Sequence, residues 1–220
     1  MDSTPAQHTI PPTLPHTHTI IFLHGRGSSA TTFASELFES QDGHGGFFTS
    51  IFPAVKWICP CAPTSWAASE QESIPQWFDI ASVQRPWEEA EMQHEGLEES
   101  AKSVAQVIER EAGEVGGIRV GGFVGLCGWV PVEDFEDEAN TGHDVKEMPV
   151  LLQHCRDDEV VPVGNGEALA IRLRKMERQV EWECFEEGGH WLNEPAGMDG
   201  IVRFIEKTLG NGEQASAKSK

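Results

Sequence analysis

Ile20-Ile21-Phe22-Leu23-His24-Gly25-Arg26-Gly27 is an unbroken apolar run that stops at a glycine loop. Four consecutive apolar residues suit a strand of a parallel sheet covered on both faces, and the loop then leaves at the sheet's carboxyl edge. Outward from this stretch the chain keeps alternating between strand-like and helix-like segments. Val55-Lys56-Trp57-Ile58-Cys59, stopped by Pro60, reads as a second strand. Leu97, Ala101, Val104, Ile108 and Ala112 recur in steps of three and four, which places them on one helix face. Residues 120–129 are strand-like but glycine-rich, and Pro149-Val150-Leu151-Leu152 is a short buried strand. Leu169, Leu173 and Met176 form a helical stripe, and Val180, Trp182 and Cys184 alternate as a strand does. Met198, Val202, Ile205 and Leu209 form the last stripe, with Pro195 in its first turn. Strands alternating with helices predict an α/β sandwich around a mostly parallel sheet.

The chain has 220 residues, enough for one domain with a sizeable core. Its 36 acidic residues against 16 Lys and Arg give a net charge of −20. That balance excludes nucleic acid and anionic membrane surfaces as partners, because both select basic faces. Five cysteines are an odd number, and the first fifteen residues are polar and Pro-rich, with no apolar core of a signal peptide. The expectation is reduced thiols in a cytoplasmic or nuclear setting. Cys59-Pro60-Cys61 has one intervening residue, too close for a redox Cys-x-x-Cys. Its apolar runs fall far short of a membrane span. Residues 1–18 read as a flexible lead, 19–209 as the folded domain and 210–220 as a disordered tail. His16 and His18 lack a Cys or carboxylate neighbour, so no metal is expected there, and no cofactor elsewhere.

Three short stretches carry chemistry. His24-Gly25-Arg26-Gly27, at a strand's end, presents a backbone N–H where charge grows on a carbonyl oxygen during acyl transfer. Asp158 follows the 150–152 strand, and His190 follows the 180–184 strand in Glu187-Gly188-Gly189-His190. A general base needs a carboxylate on its Nδ1–H, and open α/β sheets place such groups on loops after strands. Asp157 competes with Asp158 for the acid role.

Taken in order, these stretches make the chain resemble the carboxylesterase, phospholipase and acyl-protein thioesterase family of α/β-hydrolases, in a form like its fungal members. The matching residues run from Thr19 to Leu209. They include Phe22-Leu23-His24-Gly25-Arg26-Gly27, Lys56-Trp57-Ile58-Cys59-Pro60, Gln76-Trp77-Phe78-Asp79-Ile80, Leu126-Cys127-Gly128-Trp129-Val130-Pro131, Asp158-Glu159-Val160-Val161-Pro162 and Gly189-His190-Trp191. The resemblance implies a three-layer α/β-hydrolase sandwich and Asp158 and His190 as acid and base. It also implies the Arg26 N–H as an oxyanion donor and Trp77 and Phe78 as walls of an acyl pocket; buried core is the other reading of those two. The implied substrates are acyl esters or thioesters, S-acylated proteins among them.

The departure is as specific as the match. Family members carry Gly-Gly-x-Ser-Gln-Gly after the long helix, then a buried helix, then the strand ending in Cys-x-Trp-x-Pro. No Gly-x-Ser-x-Gly occurs in this chain. Gly121-Gly122-Phe123-Val124-Gly125 leads straight into Leu126-Cys127-Gly128-Trp129. Either Val124 stands in the Ser position, or a block holding a central strand and the following helix is missing near 117–122. Ser28 and Ser29 have no elbow, and Cys127 falls on the family's strand-end cysteine, one strand from the expected nucleophile and away from His190. The sequence therefore predicts a hydrolase-family chain without its nucleophile. The rival reading is a non-catalytic acyl-binding or regulatory pseudoenzyme.

Overall fold

The computed structural model describes residues 6–115, 120–130 and 148–218. It divides into two compact units: Met1–Ser40 with Gly46–Ile118, and Gln41–Gly45 with Arg119–Lys220. Residues 131–147, and residues 117–119 of the expected junction, lie outside the described residues.

In the first unit, β3 (Val55–Pro60) is the central strand. β2 (His18–Ile21) pairs with it in parallel, Ile20 opposite Trp57, and Phe22 N–H extends the ladder to Ile58 O at 2.8 Å. β1 (Gln7–Ile10) pairs on the other side, antiparallel, from Gln7 opposite Pro60 to Ile10 opposite Trp57. Residues 7–10 thus depart from the expected flexible lead. The prolines that suggested looseness, Pro5, Pro11, Pro12 and Pro15, fall on either side of residues 7–10, so every amide of the strand can join a ladder. The amides of Thr13, Leu14 and Thr17 then reach Pro53 O and Ala54 O, which ties down residues 13–17. Trp57 anchors the core: Phe22 stacks on it at 5.9 Å, and Phe38, Phe48 and Phe52 surround its ring. Leu23 differs from the expected fully covered strand, for it is 45% exposed and β2 is only partly buried.

Helix α1 (Ala30–Leu37) starts on Ser29, whose Oγ accepts from Thr32 N–H at 3.1 Å. A short α2 (Phe48–Ile51) precedes β3. β4 (Thr64–Ala67) and β5 (Glu72–Pro75) form a hairpin that the hydrophobic pattern did not announce. The long helix α3 (His94–Val115) is rotated from its predicted face: Val107 and Glu111 are buried, and Ala101 is exposed. Glu111 is inside because it binds Lys56 Nζ at 2.9 Å and Thr19 Oγ1 at 3.2 Å. A buried, paired carboxylate does not register in a hydrophobic stripe.

The second unit is itself three layers. β6 (Phe123–Leu126), β7 (Val150–Cys155) and β8 (Val180–Phe185) form a parallel sheet in that order. Every residue of β7 is buried. Helix α4 (Val163–Lys175) covers one face, with Ala170, Leu169 and Leu173 on Val150, Leu152 and Trp182. Helix α5 (Ala196–Lys218) covers the other, where Gln153 Nε2 reaches Gly197 O and Glu183. The backbone of α5 runs on through most of the segment expected to be a disordered tail.

Packing on the first face is close at Gly166, where a Cβ would overlap the His154 ring and lie 3.0 Å from Trp182. Gly164, by contrast, has open space around it. Gly166→Ala should therefore lose about 1–3 kcal/mol to overpacking, more than the ~1 kcal/mol that alanine's helix propensity returns. Gly164→Ala should be neutral or stabilising. Urea denaturation of the two variants checks the difference.

Candidate active site

β7 delivers the chain to the carboxyl edge of its sheet, and a turn closed by Asp158 N–H to Cys155 O folds it back. The Asp158 carboxyl is fully buried. Its Oδ1 accepts from the N–H groups of Val160 and Val161 at 2.9 and 2.8 Å. Its Oδ2 lies 2.8 Å from His190 Nδ1. A carboxylate only accepts, so Nδ1 carries the hydrogen and Nε2 is left with the lone pair, the tautomer of a general base. Burial works to raise the Asp158 carboxyl. The bond from His190 and the backbone donors outweigh it and hold the group below the ordinary carboxylate range.

Asp157, the competitor, does a different task. Its two oxygens accept from Gly188 and Gly189 N–H at 3.1 and 2.8 Å. Both glycines have positive φ, 143° and 62°, and a Cβ at Gly188 would run into Cys155 Sγ. Asp157 thus grips the backbone of the histidine loop while Asp158 holds the ring. The adjacent pair of carboxylates was visible in sequence; the division of labour was not, because it depends on which way the two glycine amides point.

The glycine loop after β2 lies in the first unit. Arg26 spreads its guanidinium over the β4–β5 hairpin: Nη2 binds Glu70 at 2.6 Å and Asp79 at 3.1 Å, and Nη1 binds Phe78 O at 3.1 Å and the buried Gln76. The bond from Arg26 holds the Glu70 carboxyl down at about 2. Gly27 N–H is given to Pro75 O at 2.8 Å. It is thereby removed from the candidate oxyanion donors, while the clamp fixes the peptide of Arg26. Trp77 Nε1 donates to His24 O at 2.8 Å. Phe78 offers its carbonyl to Arg26 and its Cα to the close approach of Gly96. Sequence reasoning had no role for His24. It is buried, accepts from Ala62 N–H on Nε2 at 3.0 Å, and gives its Nδ1–H to Gly25 O.

The substitutes for a nucleophile fare poorly. Ser29 caps α1, and Ser28 closes a turn to Gly25 O. Cys127 lies nearer the acid than the sequence suggested, with its Sγ on Trp191 O. Burial, aided by the charge of Asp158, pushes that thiol up to about 12, so it keeps its proton. Among the described residues, Cys127, His154 and Asp158 bring ligand-type atoms within 4.8 Å of one another. A metal there would have to displace the N–H donors on Asp158 and a thiol proton. His16 Nε2 lies 3.0 Å from His18 O and 3.1 Å from Thr19 Oγ1. A cavity of about 320 Å³, lined by Phe123, Val150, Leu169, Leu173 and Met176, lies at the amino ends of the strands, opposite the edge that carries Asp158.

The sequence matches the Phospholipase/Carboxylesterase family over residues 5–118 and again over 112–209. The chain belongs to that family. Acyl-protein thioesterase 1 of Cryptococcus neoformans is 30% identical over 188 residues, covering 72% of this chain and 73% of that protein. Acyl-protein thioesterase 1 of Schizosaccharomyces pombe is 26% identical over 240 residues, covering 92% and 96%. The crystal structure of Zea mays acyl-protein thioesterase 2 superposes with a TM-score of 0.75 at 22% identity, covering 93% of this chain and 99% of that one. The fold is thus that of the α/β-hydrolases, and the chain is of the carboxylesterase and acyl-thioesterase type. None of the described helices is long and apolar enough to cross a membrane.

The depressed Asp158 carboxyl makes a prediction about acid stability. Its stabilising contribution is present above the unfolded value of about 4 and is lost as pH falls through the lower, folded value. Asp158→Asn should therefore lower the melting temperature at pH 6 and flatten its fall between pH 5 and pH 2. Thermal unfolding across that range checks both effects.

Proposed function

We propose that this chain carries the acid, base and oxyanion loop of a cytoplasmic or nuclear serine hydrolase for acyl esters or thioesters, and lacks its nucleophile. The observation that carries the reading is the 2.8 Å bond between Asp158 Oδ2 and His190 Nδ1, in a sequence without Gly-x-Ser-x-Gly. With a serine in place, His190 Nε2 would take the hydroxyl proton as the oxygen attacks the acyl carbon. The Arg26 N–H would receive the charge on the carbonyl oxygen, and the departing alcohol or thiol would leave with the proton. His190 would then activate the water that frees the acid. Trp77 and Phe78 would wall the acyl chain. No metal or cofactor enters this scheme. Relatives named acyl-protein thioesterases support an S-acylated protein as substrate.

Three observations support a missing block rather than Val124 in place of the serine. The family match comes in two pieces that meet at 112–118. The 240-residue alignment to the S. pombe relative is longer than 92% of a 220-residue chain can fill. Each three-stranded sheet also has, among the described residues, a parallel strand at its edge: β2 in the first unit and, in the second, β6, the first strand after the gap. Leu23 beyond β2, and Val120 and Phe123 at β6, are about half exposed, as edges that have lost a neighbour would be. The pseudoenzyme reading keeps one observation in its favour, the intact clamp of Arg26 on the hairpin. A contiguous genomic sequence with no Gly-x-Ser-x-Gly near codon 117 would select it.

Inserting a relative's strand, serine elbow and helix between residues 117 and 122 should create esterase activity on a p-nitrophenyl acyl ester. In that restored enzyme Asp158→Asn should cut turnover on the order of 10⁴-fold. Asp157→Asn should cost far less, since it loosens the loop without changing the tautomer. Equal losses at the two positions would overturn the acid assignment.

A further inference from the structure

Asp158 has one more neighbour that the mechanism above leaves unused. His154 lies on β7, four residues before the acid, and its side chain is 1% exposed. Its Nε2 is 2.9 Å from Val161 O and 3.2 Å from Asp158 Oδ2. Since a carbonyl oxygen only accepts, Nε2 must carry the hydrogen; it is given to Val161 O, and the same N–H end of the ring lies beside Asp158 Oδ2. At the other end of the ring, Nδ1 is buried with no hydrogen-bond partner. It faces the space left by the missing Cβ of Gly166, and the ring lies 6.2 Å from that of Trp182. A lone pair is tolerated in such a pocket better than an unsatisfied N–H, which would carry the full cost of lost solvation. Both ends of the imidazole thus select the same neutral tautomer.

Val161 completes a ring of contacts: its N–H fixes Asp158 Oδ1 and its C=O accepts the His154 hydrogen. Two backbone amides on Oδ1 set one lone-pair direction of the carboxylate but leave it free to rock about that oxygen. A second polar hydrogen beside Oδ2, in addition to that of His190, limits that freedom.

We propose that His154 is a positioning residue: its Nε2–H holds Asp158 Oδ2 in the direction from which His190 is oriented. This rests on the reading of Asp158 and His190 as the acid–base pair. It also gives a reason for a buried histidine on a strand whose other residues are mainly apolar, and for a glycine on the helix that covers it.

The test uses the full chain, labelled with ¹⁵N, and long-range ¹H–¹⁵N spectra of the imidazoles. Wild type should show His154 protonated at Nε2 alone and a slowly exchanging Nδ1–H on His190. In His154→Phe, which keeps a ring but has no donor, the His190 Nδ1–H signal should be lost to exchange and both tautomers should appear. His154→Gln places an amide N–H near the original Nε2 and should restore the signal. Should the Phe variant fail to fold, His154→Asn, whose amide stops short of Asp158, should show the same loss. A His190 signal unchanged in the Phe or Asn variant overturns the proposal, as does equal loss in the Gln variant, which would point to shape rather than the N–H. If wild type lacks the protected His190 Nδ1–H, the acid–base pair itself fails. Zinc(II) that strips the His154 Nε2 proton and shifts the Cys127 Cβ resonance would make His154 a metal ligand, and the proposal would fall.

Discussion

Burying a carboxylate costs several kcal/mol unless its lone pairs are answered, and the second unit is arranged around answering those of Asp158. Val160 and Val161 donate to Oδ1, while His190 and His154 reach Oδ2. To bring these donors together, β7 must end at Cys155, the chain must turn back at once, and α4 must begin by Val163. The loop after β8 must also be gripped by Asp157 through two glycine amides. Each requirement is local. The consequence is a histidine whose tautomer is set whether or not anything reacts beside it.

That locality explains how the pair proposed as acid and base can persist in a chain without Gly-x-Ser-x-Gly. Every hydrogen bond that orients His190 comes from residues 154–190, downstream of the proposed gap. The glycine loop is likewise held within the first unit, by Arg26 on Glu70, Gln76, Phe78 and Asp79. Neither constellation draws on the strand, elbow and helix whose loss is proposed. The exposed Leu23, Val120 and Phe123 are where that loss would be felt.

Much of this was legible in the sequence wherever one physical signal dominated. The apolar runs of β3 and β7, and Asp158 and His190 each following its own strand, are simple periodicity and order. Harder to see were features that depend on a partner far along the chain. β1 exists because β3 offers it an edge, and Glu111 is inside because Lys56 and Thr19 meet it there. Gly166 matters only because His154 lies beneath it, and the Arg26 clamp uses five acceptor residues spread from residue 69 to residue 79. The role of Asp157 was the subtlest, since two adjacent aspartates look alike until their acceptors are assigned to backbone or ring.

The most direct measurement of the central claim is the intact mass of the purified chain after reaction with a fluorophosphonate, which labels an activated serine hydrolase nucleophile. An unmodified mass is the predicted result, because His190 has no hydroxyl to activate. One phosphonyl group per chain, at a single residue and absent in His190→Ala, would contradict the claim that the nucleophile is missing.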